Sequence, residues 1–160
     1  MNCGNTGYSG RVAIYEFVLV TKELRSAILS GALNDELVEI AKGQYNLILE
    51  EEKKNPEILI ADTETIVCKI WVEYVFKHSN ETIDNILKQQ DFDLYLLCDI
   101  DLPWVYDPLR ENPNIEERKE LFDIYKNTLT KMNVPFEIVS GDDEERVNNA
   151  INIINKYRHE

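Results

Sequence analysis

Three short apolar runs separated by helix-length segments constrain this chain most. They are Ile58–Ala61, Leu94–Cys98 and Phe136–Val139. Each is too short for a helix; the first two are apolar on consecutive positions, as a strand buried on both faces must be, and the third is interrupted only by Glu137. Between them the apolar spacing changes to steps of three and four. Ile66, Val67, Ile70, Tyr74 and Val75 mark one helix, and a short one starts at Asn80 or Glu81 and runs through Leu87. A charged helix spans Ile115 to Met132, and a last helix carries Val147, Ala150, Ile151, Ile154 and Tyr157. Strand and helix in alternation predict an α/β fold: three layers, with a parallel sheet covered by helices. Three strands make a small sheet. Arg11 to Val20, with Val12, Ile14, Phe17, Leu19 and Val20 apolar, is a candidate fourth.

Upstream of the first run, Leu37, Ile40, Ala41, Tyr45, Ile48 and Leu49 define a long helix. Asn34 is placed to cap it, and Asn55-Pro56 stops it. Before that, Thr21, Leu24, Ala27 and Ile28 suggest a short helix closed by Gly31, and residues 2–10 read as a turn or loose arm.

A chain of 160 residues makes one domain the default and can bury a core without a disulfide or metal staple. The net charge of −13 argues against a nucleic-acid backbone or an anionic membrane as partner. It leaves a nucleotide open, because one local basic group and Mg²⁺ suffice for a phosphate. Cys3, Cys68 and Cys98 match no metal spacing and are expected as reduced thiols, which suits a cytoplasmic location. His78 and His159 lack partners at ligand spacing, so zinc is not expected. No 18-residue apolar run and no apolar signal core is present.

The stretch DFDLYLLCDIDLPWVYDPLRENP at 91–113 runs an apolar strand into a loop carrying a Trp, an Arg and several carboxylates. Open α/β sheets build their sites at such strand C-termini. Together with EIAKGQ at 39–44, ADTETIVCKIWVEYVF at 61–76 and FEIVSG at 136–141, it resembles the P-loop nucleoside-kinase/ATPase family. That family includes the ribosylnicotinamide kinase domain of the bacterial NAD-biosynthesis regulator. The resemblance covers residues 37–160. It implies a truncated P-loop kinase fold, ATP and Mg²⁺ as cofactors, and phosphorylation of a ribosyl nucleoside. Residues 1–36 form a different segment. CGNTGYSGRVAIYEFVLVTKELRSAILSGALNDELVEIA at 3–41 resembles the C-terminal part of type II secretion and type IV pilus assembly ATPases. Of that family's four-cysteine zinc element, which ends in C-x3-GY-x-GR, only Cys3 remains.

No GxxxxGKS or GxxxxGKT occurs in the chain. Gly4, Gly7 and Gly10 are a poor phosphate cradle, with no strand before them and Arg11 in place of the lysine. In an intact kinase of the first family, the phosphate loop, its strand and the next strand would precede Leu37. Without that loop the chain alone is expected to be inactive. Two other readings stand beside this one: a noncatalytic dimerisation or protein-interaction module, and a fragment of a secretion or pilus ATPase.

The candidate site residues follow from the strand ends and the first resemblance. Asp62 ends the first strand; its carboxylate is read either as a catalytic and Mg²⁺-holding group or as a helix cap, with Thr63 and Thr65 as capping residues. Arg110 is the lid-type arginine that the resemblance places on the transferred phosphoryl group; otherwise it pairs with Asp107 or Glu111. Trp104 is either a stacking surface for a base or a packing anchor for its loop. Asp107 orients Arg110, holds riboside hydroxyls, or caps a turn. Asp99 and Asp101 flank a strand end, and either could meet substrate or metal; Asp99 is the one assigned to substrate. Gly141, in Ser140-Gly141-Asp142, backs the adenine through its backbone or forms an ordinary turn. Gln44 could reach substrate by the resemblance, Trp71 reads as core, and Arg146 reads as surface.

Overall fold

The computed structural model describes residues 11–15, 33–106 and 113–158. The elements are β1 (Arg11–Tyr15), α1 (Leu33–Glu52), β2 (Leu59–Asp62), α2 (Thr65–Phe76), α3 (Glu81–Leu87), β3 (Leu94–Cys98), α4 (Ile115–Met132), β4 (Phe136–Val139) and α5 (Asp143–Arg158). The four strands form one parallel sheet in the order β2-β1-β3-β4.

The candidate fourth strand therefore exists, and it is central. Ala13 is in register with Ala61 on one side and with Tyr95 on the other. The described strand covers Arg11–Tyr15, and the rest of the expected strand, residues 16–20, lies outside the described residues. The expected short helix ahead of Gly31 falls outside the described residues. The long helix starts at Leu33, one residue before the predicted cap Asn34.

Every residue of β3 is buried, as the unbroken apolar run required. Its side chains alternate. Tyr95 and Leu97 join a large core with Leu37 and Ala41 of α1, Ile66, Ile70 and Trp71 of α2, Ile83 of α3, and Tyr125 and Leu129 of α4. Leu94 and Leu96, with Val139, meet Ala150, Ile153, Ile154 and Tyr157 of α5. Helices thus flank the sheet on both faces, α1–α4 on one and α5 on the other. Burying each such side chain is worth about 1.5–3 kcal/mol. This two-sided burial anchors β3 on both faces of the sheet.

Helix ends follow local chemistry. Asn80 caps α3, accepting from the N–H groups of Thr82 and Ile83 at 3.0 and 3.2 Å. Asn114 caps α4 through Glu116 N–H at 2.9 Å. Lys77 and Asn133 close α2 and α4 in the left-handed conformation, with φ of 56° and 55°.

One connection differs from the rest. The steps β2 to β3 and β3 to β4 run in the same direction across the sheet, with α2, α3 and α4 on one face. The step β1 to β2 runs in the opposite direction, yet α1 lies on that same face. Parallel crossovers are right-handed in about 98% of cases. Taken through α1 alone, β1 to β2 has the opposite hand to the other two. Residues 16–32 belong to this connection and lie outside the described residues.

Candidate functional site at the strand ends

In a parallel sheet all strand C-termini open on one edge, and here that edge collects Asp62, Asp99 and the turn at Ser140-Gly141. Asp62 is the last residue of β2 and is exposed. The Thr63 hydroxyl donates to its Oδ1 at 3.4 Å. Thr63 has a φ of 64°, a left-handed conformation that a β-branched residue adopts only at a cost. Directly behind it Glu64 is fully buried, at 0% exposure. Its Oε1 accepts from Ile66 N–H at 3.0 Å and caps α2. The capping function considered for Asp62, Thr63 and Thr65 therefore belongs to Glu64. Its position two residues before an apolar helical run was the signal. The kinked Thr63 turns Asp62 out of the strand and Glu64 into the core.

Glu64 lies in a buried polar group. The Cys68 thiol donates to Gln44 Oε1 at 3.7 Å, tying α2 to α1. Burial, reinforced by the Glu64 carboxylate, pushes the Cys68 thiol up to about 12. The Tyr125 hydroxyl, wholly buried, is raised by the same burial and then by Cys68 and Glu64. Gln44 is engaged by this group, and Trp71 is core, edge-on to Tyr74.

At the other strand ends the bonding is dense. Asp99 N–H donates to Val139 O at 2.8 Å, extending the β3–β4 pairing by one residue. The Asp99 carboxylate accepts from Ile100 N–H at 2.7 Å. Asp101 uses both oxygens: Oδ2 accepts from Gly141 N–H at 2.7 Å, and Oδ1 takes Nη2 of Arg146. Arg146 also donates from Nε to Gly141 O at 2.9 Å and from Nη1 to Val139 O at 3.3 Å. Both Nη1 and Nη2 reach Asp99 O at 3.4 Å. Gly141 has a φ of 101°, which requires glycine, and both of its backbone polar groups are used within this turn.

Arg146 is thus no surface residue; its side chain is 14% exposed. Sequence reading missed it because Asp142 to Glu145 surround it with acid. A signal existed. A cation in the first turn of a helix opposes the helix dipole, so it needs a strong partner elsewhere.

Trp104 is half-buried and stands edge-on to Tyr106, centroids 6.1 Å apart and planes at 70°. Its indole Nε1 is shielded from water with no hydrogen-bond partner among the described residues. Just before it, Leu102 O accepts from Arg118 Nη1 at 3.1 Å. Asp107 and Arg110 lie outside the described residues. Asp62 is not brought to Asp99. Two strand spacings, about 10 Å, separate β2 from β3, and Asp99 lies three residues beyond the level of Asp62.

Among the described residues these donors do not assemble an ATP·Mg²⁺ site. Among the described residues no three His, Cys, Asp or Glu side chains gather to hold a metal ion. In sequence, Glu16-Phe17-Val18-Leu19-Val20 follows the central strand where a glycine-rich phosphate cradle would begin, and it contains no glycine. Among the described residues no helix is long and apolar enough to cross a membrane.

Comparison with known proteins agrees with this architecture. A family model described as an AAA domain matches residues 10–146. Over 50 residues the chain is 44% identical to the type IV pilus assembly ATPase PilB of Thermus thermophilus. That alignment takes in 31% of this chain and 6% of the relative, so the chain spans a small fraction of PilB's length. The family match runs from just before β1 into the first turn of α5 and takes in every strand of the sheet. By that match the chain belongs to an AAA-domain family.

Proposed function

We propose that the chain is the nucleoside-facing part of a kinase-like nucleotide-handling domain that does not transfer phosphoryl groups by itself. The position of α1 supports this reading: it packs on the same face as α2–α4, although β2 lies on the opposite side of β1 from β3 and β4. Removing an outer strand that once lay between β1 and α1, beyond β2, leaves α1 on the wrong face for a direct crossover. That is where the resemblance to nucleoside kinases expects a strand and where the phosphate loop is replaced. The strand ends that would face the nucleoside persist: Asp62 on β2, and Asp99 and Trp104 after β3. In this reading Trp104 offers its ring to the base and Asp99 takes a riboside hydroxyl. Asp107 and Arg110 follow in sequence, outside the described residues. Phosphoryl transfer depends on positioning and on preorganised donors. A single oxyanion-hole donor is worth about 3 kcal/mol, so loss of a whole cradle leaves turnover negligible.

The test is a thermal-shift and turnover assay with nicotinamide riboside, ATP and Mg²⁺. The expected result is a melting shift with the nucleoside and no phosphorylated product. Turnover of roughly one per second, the low end of ordinary enzymes, would overturn the silent-domain reading. Absence of a shift with either ligand would remove nucleotide handling altogether.

A second reading, a noncatalytic interaction module, is favoured by the partial similarity to PilB and by apolar side chains left in the open. Tyr106 is 76% exposed, Val105 60% and Ile60 51%. Sedimentation at micromolar concentration separates the two: a monomer supports the nucleoside reading, a concentration-dependent oligomer the interaction module.

A further inference from the structure

We propose that Arg146 is a positioning residue that fixes the loop after β3 against the turn after β4, and so sets where Trp104 stands at the strand-end crevice. The part-buried carbonyls of Asp99, Val139 and Gly141 lie where the β3–β4 ladder ends, and of these only Val139 O takes a ladder bond, from Asp99 N–H. One guanidinium serves all three. The planar fork of arginine matches such a cluster, and the compact ammonium of lysine does not. Asp101 completes the clamp. It neutralises Arg146 with one oxygen and holds Gly141 N–H with the other, joining the two turns through a single carboxylate. With its side chain 14% exposed, Arg146 forms this pair in partly excluded water, where charge-assisted bonds are stronger than on an open surface.

A second arginine continues the clamp. Arg118 of α4 holds Leu102 O, one residue beyond Asp101. Two consecutive residues are therefore tied to α5 and α4, and Trp104 follows two positions later. The loop is anchored from both flanking helices immediately before its aromatic residue. The bonding does not require a ligand. Only its consequence for nucleoside binding rests on the function proposed above.

A purely structural role, stapling α5 to the sheet, would change the melt and leave Trp104 alone. Tryptophan fluorescence separates the roles, because Trp71, the other tryptophan, is buried in the core and contributes little to acrylamide quenching. Arg146→Gln and Arg146→Lys are expected to raise acrylamide quenching and shift emission to the red, with a cooperative melt retained. Affinity for nicotinamide riboside should fall by roughly tenfold or more in both variants, since a misplaced contact is costly out of proportion to its distance. Unchanged quenching in both folded variants would overturn the proposal. If Arg146→Gln does not fold, Asp101→Asn is the second probe. It leaves an acceptor for Gly141 but removes the carboxylate charge that pairs with Arg146, and a smaller change of the same sign is expected; no change overturns the proposal. If the unaltered protein binds no nicotinamide riboside, the nucleoside reading fails while the quenching result still decides the clamp.

Discussion

Cys68 and Gln44 meet across the interface of α2 and α1, the thiol donating to the carboxamide oxygen at 3.7 Å. Beneath them lie Glu64 and Tyr125, so a polar group sits inside the main apolar core. This arrangement makes stability depend on alkaline pH. Burial first, then Glu64, raises the Cys68 thiol from 9.0 to about 12, and burial also raises Tyr125. The folded state therefore keeps protons that the unfolded chain gives up. Stability from these groups is full below pH 9, the ordinary thiol value, and is lost as pH rises toward about 12. Lys69 acts in the same sense. Burial lowers it, but Asp84 and Glu73, at 2.6 and 2.5 Å, outweigh burial and raise it above 10.5. Urea midpoints should fall steadily above pH 9, and Cys68→Ala should flatten the first part of that fall. Equal pH dependence in both proteins would count against this account.

Thr63 carries backbone strain between exposed Asp62 and buried Glu64. A non-glycine residue held in such a region costs of order 1–3 kcal/mol. Thr63→Gly removes that cost, gives back about 0.5–1 kcal/mol in unfolded-chain entropy, and loses only the long 3.4 Å bond to Asp62. A net gain of about 1 kcal/mol is expected, read as a melting temperature higher by about 2–4 °C. A lower melting temperature would show that the turn depends on the threonine side chain.

Glu64 combines a helix cap with complete burial. Glu64→Ala should destabilise the fold by at least the roughly 0.5–2 kcal/mol of a lost cap. Glu64→Gln, which keeps an oxygen for Ile66 N–H, should lose less. Chemical denaturation of the two variants checks the order, and the reverse order would refute the cap assignment.

Gly141 is constrained twice. A Cβ there would sit 3.0 Å from Glu145 Cγ, and its φ of 101° disfavours any side chain. Gly141→Ala is expected to cost about 1–3 kcal/mol. Because Glu145 ends in a flexible chain, the dihedral is the greater obstacle. The double variant Gly141→Ala with Glu145→Ala should therefore retain most of the loss in a denaturation curve. Full recovery would assign the cost to the clash instead.

Much of the architecture was legible because apolar runs and helical periods are local. Leu94–Cys98, Phe136–Val139 and α4 fall where their residues placed them, and the alternation implied parallel pairing. Strand order was not legible. Nothing in Val12 or Ile14 states that β1 lies between strands some fifty and eighty residues away. The site divides in the same way. Asp62 and Asp99 lie at strand ends as their sequence positions implied, but the two are apart in space, since β1 stands between their strands. Arg146 was missed because its partners, Asp101 and the carbonyl of Asp99, come from a turn more than forty residues upstream. A guanidinium that serves backbone carbonyls leaves no pattern among neighbouring side chains.

The central place of β1 has a kinetic consequence. Of the four strands it leaves the ribosome earliest, yet both of its neighbours are made later, the second only after Leu97. Closing such long loops must precede any gain from pairing, and non-local parallel sheets assemble slowly for that reason. Until β3 emerges, a nascent chain carries its middle strand unmatched on one side. Arrest of synthesis before that point should leave a species prone to capture by chaperones or by its own kind.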